Sequence, residues 1–141
     1  MEQMTLKCQY VIAKNARMAL VHSQESFSFV GGVDIQDGTI SDYRHPNYQV
    51  NIKGAAFAFP FGRGSSGAGL VLMEMVRLHT APGALINVYT DPVVLTGPLI
   101  CKHFYGDILP VVNLSEEDFS KLQGGKEVEF FADRDELIVY R

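Results

Sequence analysis

The stretch from Gly54 to His79 most constrains what this chain can fold into. It reads GAAFAFPFGRGSSGAGLVLMEMVRLH: an apolar run, a glycine-rich turn, and then a run free of glycine and proline. A short continuous apolar run is typical of a strand buried on both faces, and the last run is long enough for a helix. The stretch therefore predicts a strand, a tight turn and a helix.

The same order of elements follows downstream. ALINVY (84–89) predicts a second buried strand and ILPVV (108–112) a third. Between them, TDPVV predicts a turn and PLICKHFYG a helix, with Thr96 before it and Gly106 after it. Pro110 cannot donate to a sheet, so the third strand is expected at an edge or to begin at that residue. A small parallel sheet with right-handed crossovers follows.

The two ends of the chain predict antiparallel strands. TLKCQYVIA (5–13) and MALVHS (18–23) are mixed apolar runs, FSFVGGVD continues the pattern, and DGT (37–39) is a hairpin signal. RHPNY predicts a loop. Ser115 predicts a helix cap, and the runs KEVEFF and ELIVYR a closing hairpin. We expect an α/β fold in which a small parallel sheet with its helices packs against an antiparallel or barrel-like β layer, as a single domain of residues 1–141.

Composition narrows the functional class. Hydrophobic residues make up 47% of the chain, charged residues 20%, and the net charge is −4 without a basic stretch. Nucleic acid is therefore not an expected partner. No apolar run reaches membrane-spanning length and the first residues show no signal peptide, so we expect a cytoplasmic protein without membrane contact. Cys8 and Cys101 lie far apart and fit no metal-type spacing, so they are expected to be buried thiols rather than a disulfide or ligands of a metal.

The glycine turn at 62–67, GRGSSG, matches the dinucleotide fingerprint G-x-G-x-x-G. On its own this fingerprint is weak evidence for nucleotide binding, and it requires an acidic residue about 20 positions downstream to bind the ribose. Asp91 is only roughly placed for this and resembles a turn former before Pro92. The parallel sheet is also too small for two mononucleotide halves. A phosphate-binding P-loop is excluded because no Lys-Ser or Lys-Thr follows the glycines.

Two interpretations of the turn remain open. Gly64, Ser65 and Ser66 would stand at a helix N-terminus, where unpaired N–H groups and the helix dipole favour an anion. Arg63 adds a positive charge suited to carboxylate or phosphate. A serine oxygen there would also be more acidic than a free hydroxyl. Equally, a serine in this place would simply cap the helix.

Other candidate groups carry weaker signals. The hydrolase elbow G-x-S-x-G is absent, and His79 and His103 are more typical of half-buried surface histidines than of bases. Asp34 in GGVD is most simply a turn residue and His45 in RHPNY a loop residue, although either could face the glycine turn. The run Glu116–Asp118 is interpreted as the first turn of a helix.

Four segments in order carry a resemblance to a known family: SFVGGVD, DGTISDYRHPNY, GAAFAFPFGRGSSGAG and INVYTDPVVLTGPLICKHFYGDILPVV. From about Phe27 to Val112 the chain resembles the swivelling small-subunit domain of the aconitase X family. The resemblance implies a swivelling β/β/α fold and a hydro-lyase that works as a heterodimer. Its large subunit would carry an iron–sulfur cluster of the 4Fe–4S type, with no cofactor in this chain.

The resemblance also implies site residues. The serine directly after Gly-Arg-Gly is the family's proposed proton acceptor, which here is Ser65. Gly62, Arg63, Gly64 and Ser66 would bind a small anionic substrate, while the resemblance leaves the roles of Asp34 and His45 open as possible supporting residues.

The substrate is the least determined expectation. A separate small subunit favours the archaeal branch that dehydrates 5-phosphomevalonate in isoprenoid synthesis; cis-3-hydroxyproline is the alternative within the family. A non-catalytic module whose glycine turn binds anions is the rival from another class.

Overall fold

The computed structural model describes residues 2–63 and 67–141 of the chain. The strands in these residues are β1 (Gln3–Lys7), β2 (Gln9–Ile12), β3 (Ala16–His22), β4 (Val33–Asp34), β5 (Thr39–Ile40), β6 (Ala56–Ala58), β7 (Ala84–Asn87), β8 (Val111–Asn113), β9 (Glu127–Phe130) and β10 (Glu136–Tyr140). The α-helices are α1 (Ala68–Leu78), α2 (Pro92–Ile100) and α3 (Glu116–Ser120), and a π-helical turn at Cys101–Tyr105 continues α2.

Eight strands form one mixed sheet in the order β1-β10-β9-β3-β6-β7-β8-β2. Strands β3-β6-β7-β8 pair in parallel, strands β1-β10-β9-β3 pair antiparallel, and β2 pairs antiparallel with β8. The two edge strands, β1 and β2, are separated along the chain only by Cys8. The sheet therefore returns to its own starting point as a nearly closed barrel, and the predicted α/β fold with a barrel-like layer is confirmed.

One apolar core fills the barrel. Its members alternate along the strands with residues that face outward, as the two-residue period of a strand requires. Ala56, Ala58 and Ala84 are fully buried and keep the interior narrow, and Phe119 and Leu122, in and just after α3, belong to the same core. The larger residues of the interior are Leu6, Leu20, Ile86, Val112, Leu114, Val128, Phe130, Leu137 and Val139.

A second core lies between the barrel wall and the helices. Phe57 and Phe59 project outward from β6 and its continuation, and meet Phe27 and Phe29 at centroid separations of 4.9 to 6.4 Å. Leu72 and Met75 of α1 cover this aromatic cluster. β6 is therefore buried on both faces, as its continuous apolar run predicts.

Helices α1 and α2 cross at a pair of glycines. A Cβ on Gly97 would lie 2.6 Å from the carbonyl oxygen of Gly69, and a Cβ on Gly69 would lie 2.9 Å from that of Val93. Only glycine allows this backbone approach, which sets the start of α1 against the middle of α2.

The second helix begins earlier than the sequence analysis predicts. Instead of a turn at TDPVV, Asp91 caps α2 by accepting the Val93 N–H at 2.7 Å, and Pro92 takes the first helical position. An acidic cap followed by proline is a helix start, because proline lacks the N–H that would stay unpaired there. Thr96 therefore lies inside the helix, whereas the predicted end at Gly106 (φ +70°) is confirmed.

The remaining predictions of secondary structure have mixed outcomes. The run 5–13 is not one strand: it divides at Cys8, where the chain passes between the two sheet edges. FSFV forms an isolated bridge rather than a strand. The hairpin at 37–39, the Ser115 cap and the closing hairpin of β9 and β10 are confirmed. β8 begins directly after Pro110, which was one of the two places predicted for it.

No helix in the described part of the chain is long and apolar enough to cross a membrane.

Candidate functional site

The glycine turn begins beyond the carboxyl end of β6, beside the carboxyl ends of β3 and β7. Phe27 holds it through its backbone, since its N–H donates to the Phe61 carbonyl at 3.1 Å and its carbonyl accepts the Arg63 N–H at 3.0 Å. Helix α1 then starts after Gly67. In sheets with parallel strands, ligands bind outside these carboxyl ends. Arg63 is exposed there.

Gly64, Ser65 and Ser66 lie outside the described residues. The catalytic role predicted for Ser65 and the binding roles predicted for Gly64 and Ser66 therefore remain predictions.

Gly62 packs against the first turn of α2. A Cβ there would lie 3.2 Å from Cγ2 of Val94 and 3.6 Å from Cβ of Asp91. A side chain at position 62 would push against the helix. Asp91, considered as a ribose ligand, is close to the turn, but its carboxylate accepts the Val93 N–H as the cap of α2.

Arg63 lines a cavity of about 200 Å³ together with Glu25, Asp42, Arg44 and His45. The loop from β3 to β6 supplies all of these except Arg63 itself. The cavity thus places two carboxylates and two guanidinium groups in one polar recess beside the glycine turn. Sequence analysis singled out Arg63 and His45 but missed Glu25, Asp42 and Arg44.

Asp42 is held as a carboxylate. Its Oδ1 accepts the Arg44 N–H at 3.0 Å and contacts Arg44 Nε at 3.4 Å. These hydrogen bonds, with the charges of Arg44 and Arg63, lower the pKa of Asp42 despite its partial burial. The side chain of Asp42 is 18% exposed and that of Arg44 77%. The Asp42 carboxylate therefore stabilises the turn of its own loop, while most of the Arg44 side chain is exposed to solvent.

His45 is buried and neutral. Its Nδ1 accepts the Asn47 N–H at 3.0 Å, so the ring proton is on Nε2, which lies 3.1 Å from Ser23 Oγ. Burial lowers the pKa of His45, and the negative charges of Asp42 and Glu25 offset this only in part. His45 therefore contributes a buried, uncharged ring to the lining of the cavity, next to the charged side chain of Arg63.

Asp34 is exposed in the hairpin of β4 and β5. Its Oδ1 accepts the Gln36 N–H at 2.9 Å, which stabilises the turn of that hairpin. Its role near the active site stays a prediction. His79 ends α1 in a left-handed conformation (φ +61°), and both His79 and His103 are exposed.

The two thiols have weak ligand character. Cys8 and Cys101 are free, and burial raises the pKa of both, that of Cys8 to about 12. Within residues 2–63 and 67–141, no group of three or more His, Cys, Asp or Glu side chains could hold a metal ion.

Known proteins resemble this chain over most of its length. The phosphomevalonate dehydratase small subunit of Methanothermobacter thermautotrophicus is 30% identical, with 95% of this chain and 98% of that protein aligned. The cis-3-hydroxy-L-proline dehydratase of Hypocrea jecorina is 33% identical over 77% of this chain, but only 18% of that longer protein is aligned.

A solved structure and a family model agree with this likeness. The holo-form of Thermococcus kodakaraensis aconitase X superposes with a TM-score of 0.85 at 28% identity, covering 98% of this chain and 99% of that one. The aconitase X swivel-domain family model matches residues 5–139. The resemblance inferred from the sequence is confirmed: this chain belongs to the aconitase X swivel-domain family.

Proposed function

We propose that this chain is the small subunit of a heterodimeric hydro-lyase that dehydrates (R)-5-phosphomevalonate to trans-anhydromevalonate 5-phosphate in the cytoplasm, in an archaeal-type mevalonate pathway. Its relatives of similar length are named as small subunits of phosphomevalonate dehydratase, which places the chain with the hydro-lyases. The position of Arg63 supports the role most directly. Its backbone is fixed by Phe27 beside the carboxyl ends of parallel strands, directly before the turn that leads into α1.

The elimination needs two opposed groups. A base removes the C2 proton of the 3-hydroxy acid while a Lewis acid withdraws the C3 hydroxyl. An iron–sulfur cluster of the 4Fe–4S type on the large subunit would supply that Lewis acid, since the described residues of this chain offer no ligand set for it.

This chain would supply the base and one anion clamp. Ser65 would accept the proton, helped by the positive end of α1 and by the charge of Arg63, which favour an alkoxide. Arg63 would pair with the carboxylate or the phosphate of the substrate through its planar guanidinium, with Gly62, Gly64 and Ser66 lining the same turn. The other anion would then be bound by the large subunit.

Glu25 favours a second candidate substrate, cis-3-hydroxyproline. That compound carries a ring ammonium as well as a carboxylate, and Glu25 lines the same cavity as Arg63. Asp42 is less suited to the ammonium because its carboxylate already accepts the N–H groups of Arg44.

The deciding experiment is reconstitution. The chain is co-expressed with a candidate large subunit, purified anaerobically and offered each compound separately. We expect turnover of 5-phosphomevalonate. Turnover of hydroxyproline alone would move the assignment to the second substrate, and a stable lone chain that binds small anions and forms no complex would favour a binding module.

A further inference from the structure

Ser23 is fixed at the point where β3 passes into the loop that lines the cavity. Its N–H donates to the Ala58 carbonyl at 2.8 Å, which extends the pairing of β3 with β6. Its hydroxyl donates to the Glu25 carbonyl at 2.9 Å and accepts the Glu25 N–H at 3.1 Å. One acceptor position of Oγ remains, and the Nε2–H of His45 occupies it.

The imidazole of His45 therefore joins two parts of the loop. Nε2 is held by Ser23 at the end of β3, and Nδ1 is held by the backbone N–H of Asn47, two residues after His45 itself. His45 is 5% exposed, and its ring meets the ring of Phe27 edge-on at a centroid separation of 5.4 Å.

Phe27 connects the imidazole of His45 with the backbone of Arg63, because it contacts the first with its ring and the second with its carbonyl. Its ring is almost completely buried, 4.9 Å from the ring of Phe57, so it has little room to move. Its backbone brackets Gly62, the first residue of the glycine turn, through the hydrogen bonds to Phe61 and Arg63. A displaced imidazole would loosen Phe27 and, with it, the backbone of Arg63.

We propose that Ser23 and His45 are positioning residues for Arg63: the neutral imidazole, clamped between the Ser23 hydroxyl and the Asn47 amide, holds Phe27 in place and thereby fixes Arg63 at the mouth of the cavity. The kinetic consequence rests on the proposed function, whereas the structural consequence does not.

Protonation of His45 would break this arrangement. A second ring proton would sit on Nδ1, where the Asn47 N–H already points. Burial and the charge of Arg63 lower the pKa of His45, whereas the charges of Asp42 and Glu25 raise it. The net effect is a lowered pKa, so the ring takes up its second proton only on acidification. The complex should therefore lose affinity for substrate on acidification, through an ionisation that is absent when His45 is replaced.

The first test uses the isolated full chain and needs no activity. ¹⁵N-resolved NMR follows the amides of Phe27 and Arg63 in the variants His45→Gln, Ser23→Ala and His103→Gln. Glutamine keeps a donor for Ser23 but loses the acceptor for the Asn47 amide. We expect both amides to shift in His45→Gln and Ser23→Ala and to stay in place in His103→Gln, whose histidine is exposed. An Arg63 amide that does not respond to either of the first two variants overturns the proposal.

The second test is a double-mutant cycle in the active complex. His45→Gln should raise KM for the substrate about 10-fold, with a smaller change in kcat. In the Arg63→Lys background the same substitution should raise KM less than about 2-fold, because the effects of coupled residues are not additive. Equal effects in both backgrounds would show that His45 acts elsewhere, and would overturn the proposal.

Together, the two tests distinguish a failure of the proposed function from a failure of the positioning role. A reconstituted complex that dehydrates neither compound contradicts the proposed function, and the amide shifts still decide the positioning role. His45→Asn, which restores an acceptor near the Asn47 amide, guards against a His45→Gln chain that fails to fold.

Discussion

Arg63 differs from the exposed Arg77 in that its backbone N–H is bonded to the buried residue Phe27. Its guanidinium faces a cavity, whereas Arg77 lies on α1 paired with Glu74. Arg63→Lys should raise KM roughly 10-fold or more without affecting assembly, because a point charge does not reproduce a bidentate contact with carboxylate or phosphate. Steady-state kinetics and size-exclusion chromatography of the complex check this, with Arg77→Lys as the matched control. An unchanged KM would mean that Arg63 points away from the substrate.

The two serines of the turn should behave differently. Ser65→Ala should fold and assemble but lower kcat about 10²–10⁴-fold, as for the loss of a positioned acid–base group. Ser66→Ala should cost less, because it is assigned only binding and capping. Single-turnover rates of the two reconstituted variants distinguish them. A dead Ser66 variant beside a mild Ser65 variant would reverse the assignment.

At this scale the sequence predicts only part of the candidate site. Arg63 is found because it stands inside a glycine-rich turn between a strand and a helix. Glu25, Asp42 and Arg44 are single charged residues in a polar loop, without periodicity or spacing that links them to the turn. Their meeting at one cavity depends on how the loop folds back over the end of β3, which is a long-range property.

At the scale of secondary-structure elements, the crossing of α1 and α2 fixes the start of α1, directly after the glycine turn. Gly97→Ala should destabilise the chain by about 1–3 kcal/mol, since its Cβ would meet backbone of Gly69 that cannot move aside like a side chain. The higher helix propensity of alanine offsets about 1 kcal/mol of this. Urea unfolding measures the change, with Leu70→Ala as control because Leu70 is 70% exposed on α1, the helix that Gly97 contacts. Equal stability of Gly97→Ala and the wild type would contradict the close crossing.

Elements with strong local signals were predictable, and elements set by distant contacts were not. The buried strands β6 and β7 and helix α1 follow from their apolar runs. The start of α2 was placed too late because Asp91-Pro92 was interpreted as a turn rather than as a cap and first helical residue. The division of the first strand at Cys8 is a consequence of barrel closure, which brings residues from both ends of the chain together and leaves no local mark.

At the scale of the whole molecule, the proposed function gives this chain one wall of a site shared with the large subunit. Large apolar side chains lie exposed in the segments around the glycine turn: Phe61, Leu70, Tyr89 and Val93. We expect the purified chain alone to be inactive and the large subunit to bury this face on assembly. Hydrogen exchange with and without the partner measures the protection. Dehydration by the chain alone, or protection confined to another face, would contradict this arrangement.

The stability of the whole chain should fall on mild acidification, because folding favours the neutral form of two histidines, the buried His45 and the half-buried His22. Burial lowers the pKa of both His22 and His45. In the unfolded chain both return to the ordinary value of about 6.5, so the unfolded state binds more protons once the pH drops below about 7, and the free energy of unfolding decreases as the pH falls towards the folded-state values. The lowered pKa of Asp42 acts in the same direction, but only near and below pH 4, where carboxylates titrate. Between about pH 7 and 5, the pH dependence of the free energy of unfolding is therefore assigned to the two histidines.

Urea midpoints measured across this pH range should fall steadily as the pH is lowered. The fall should be shallower in His45→Gln than in His103→Gln, whose histidine is exposed. A midpoint that stays constant or rises as the pH is lowered would show that the two imidazoles are not buried as neutral groups.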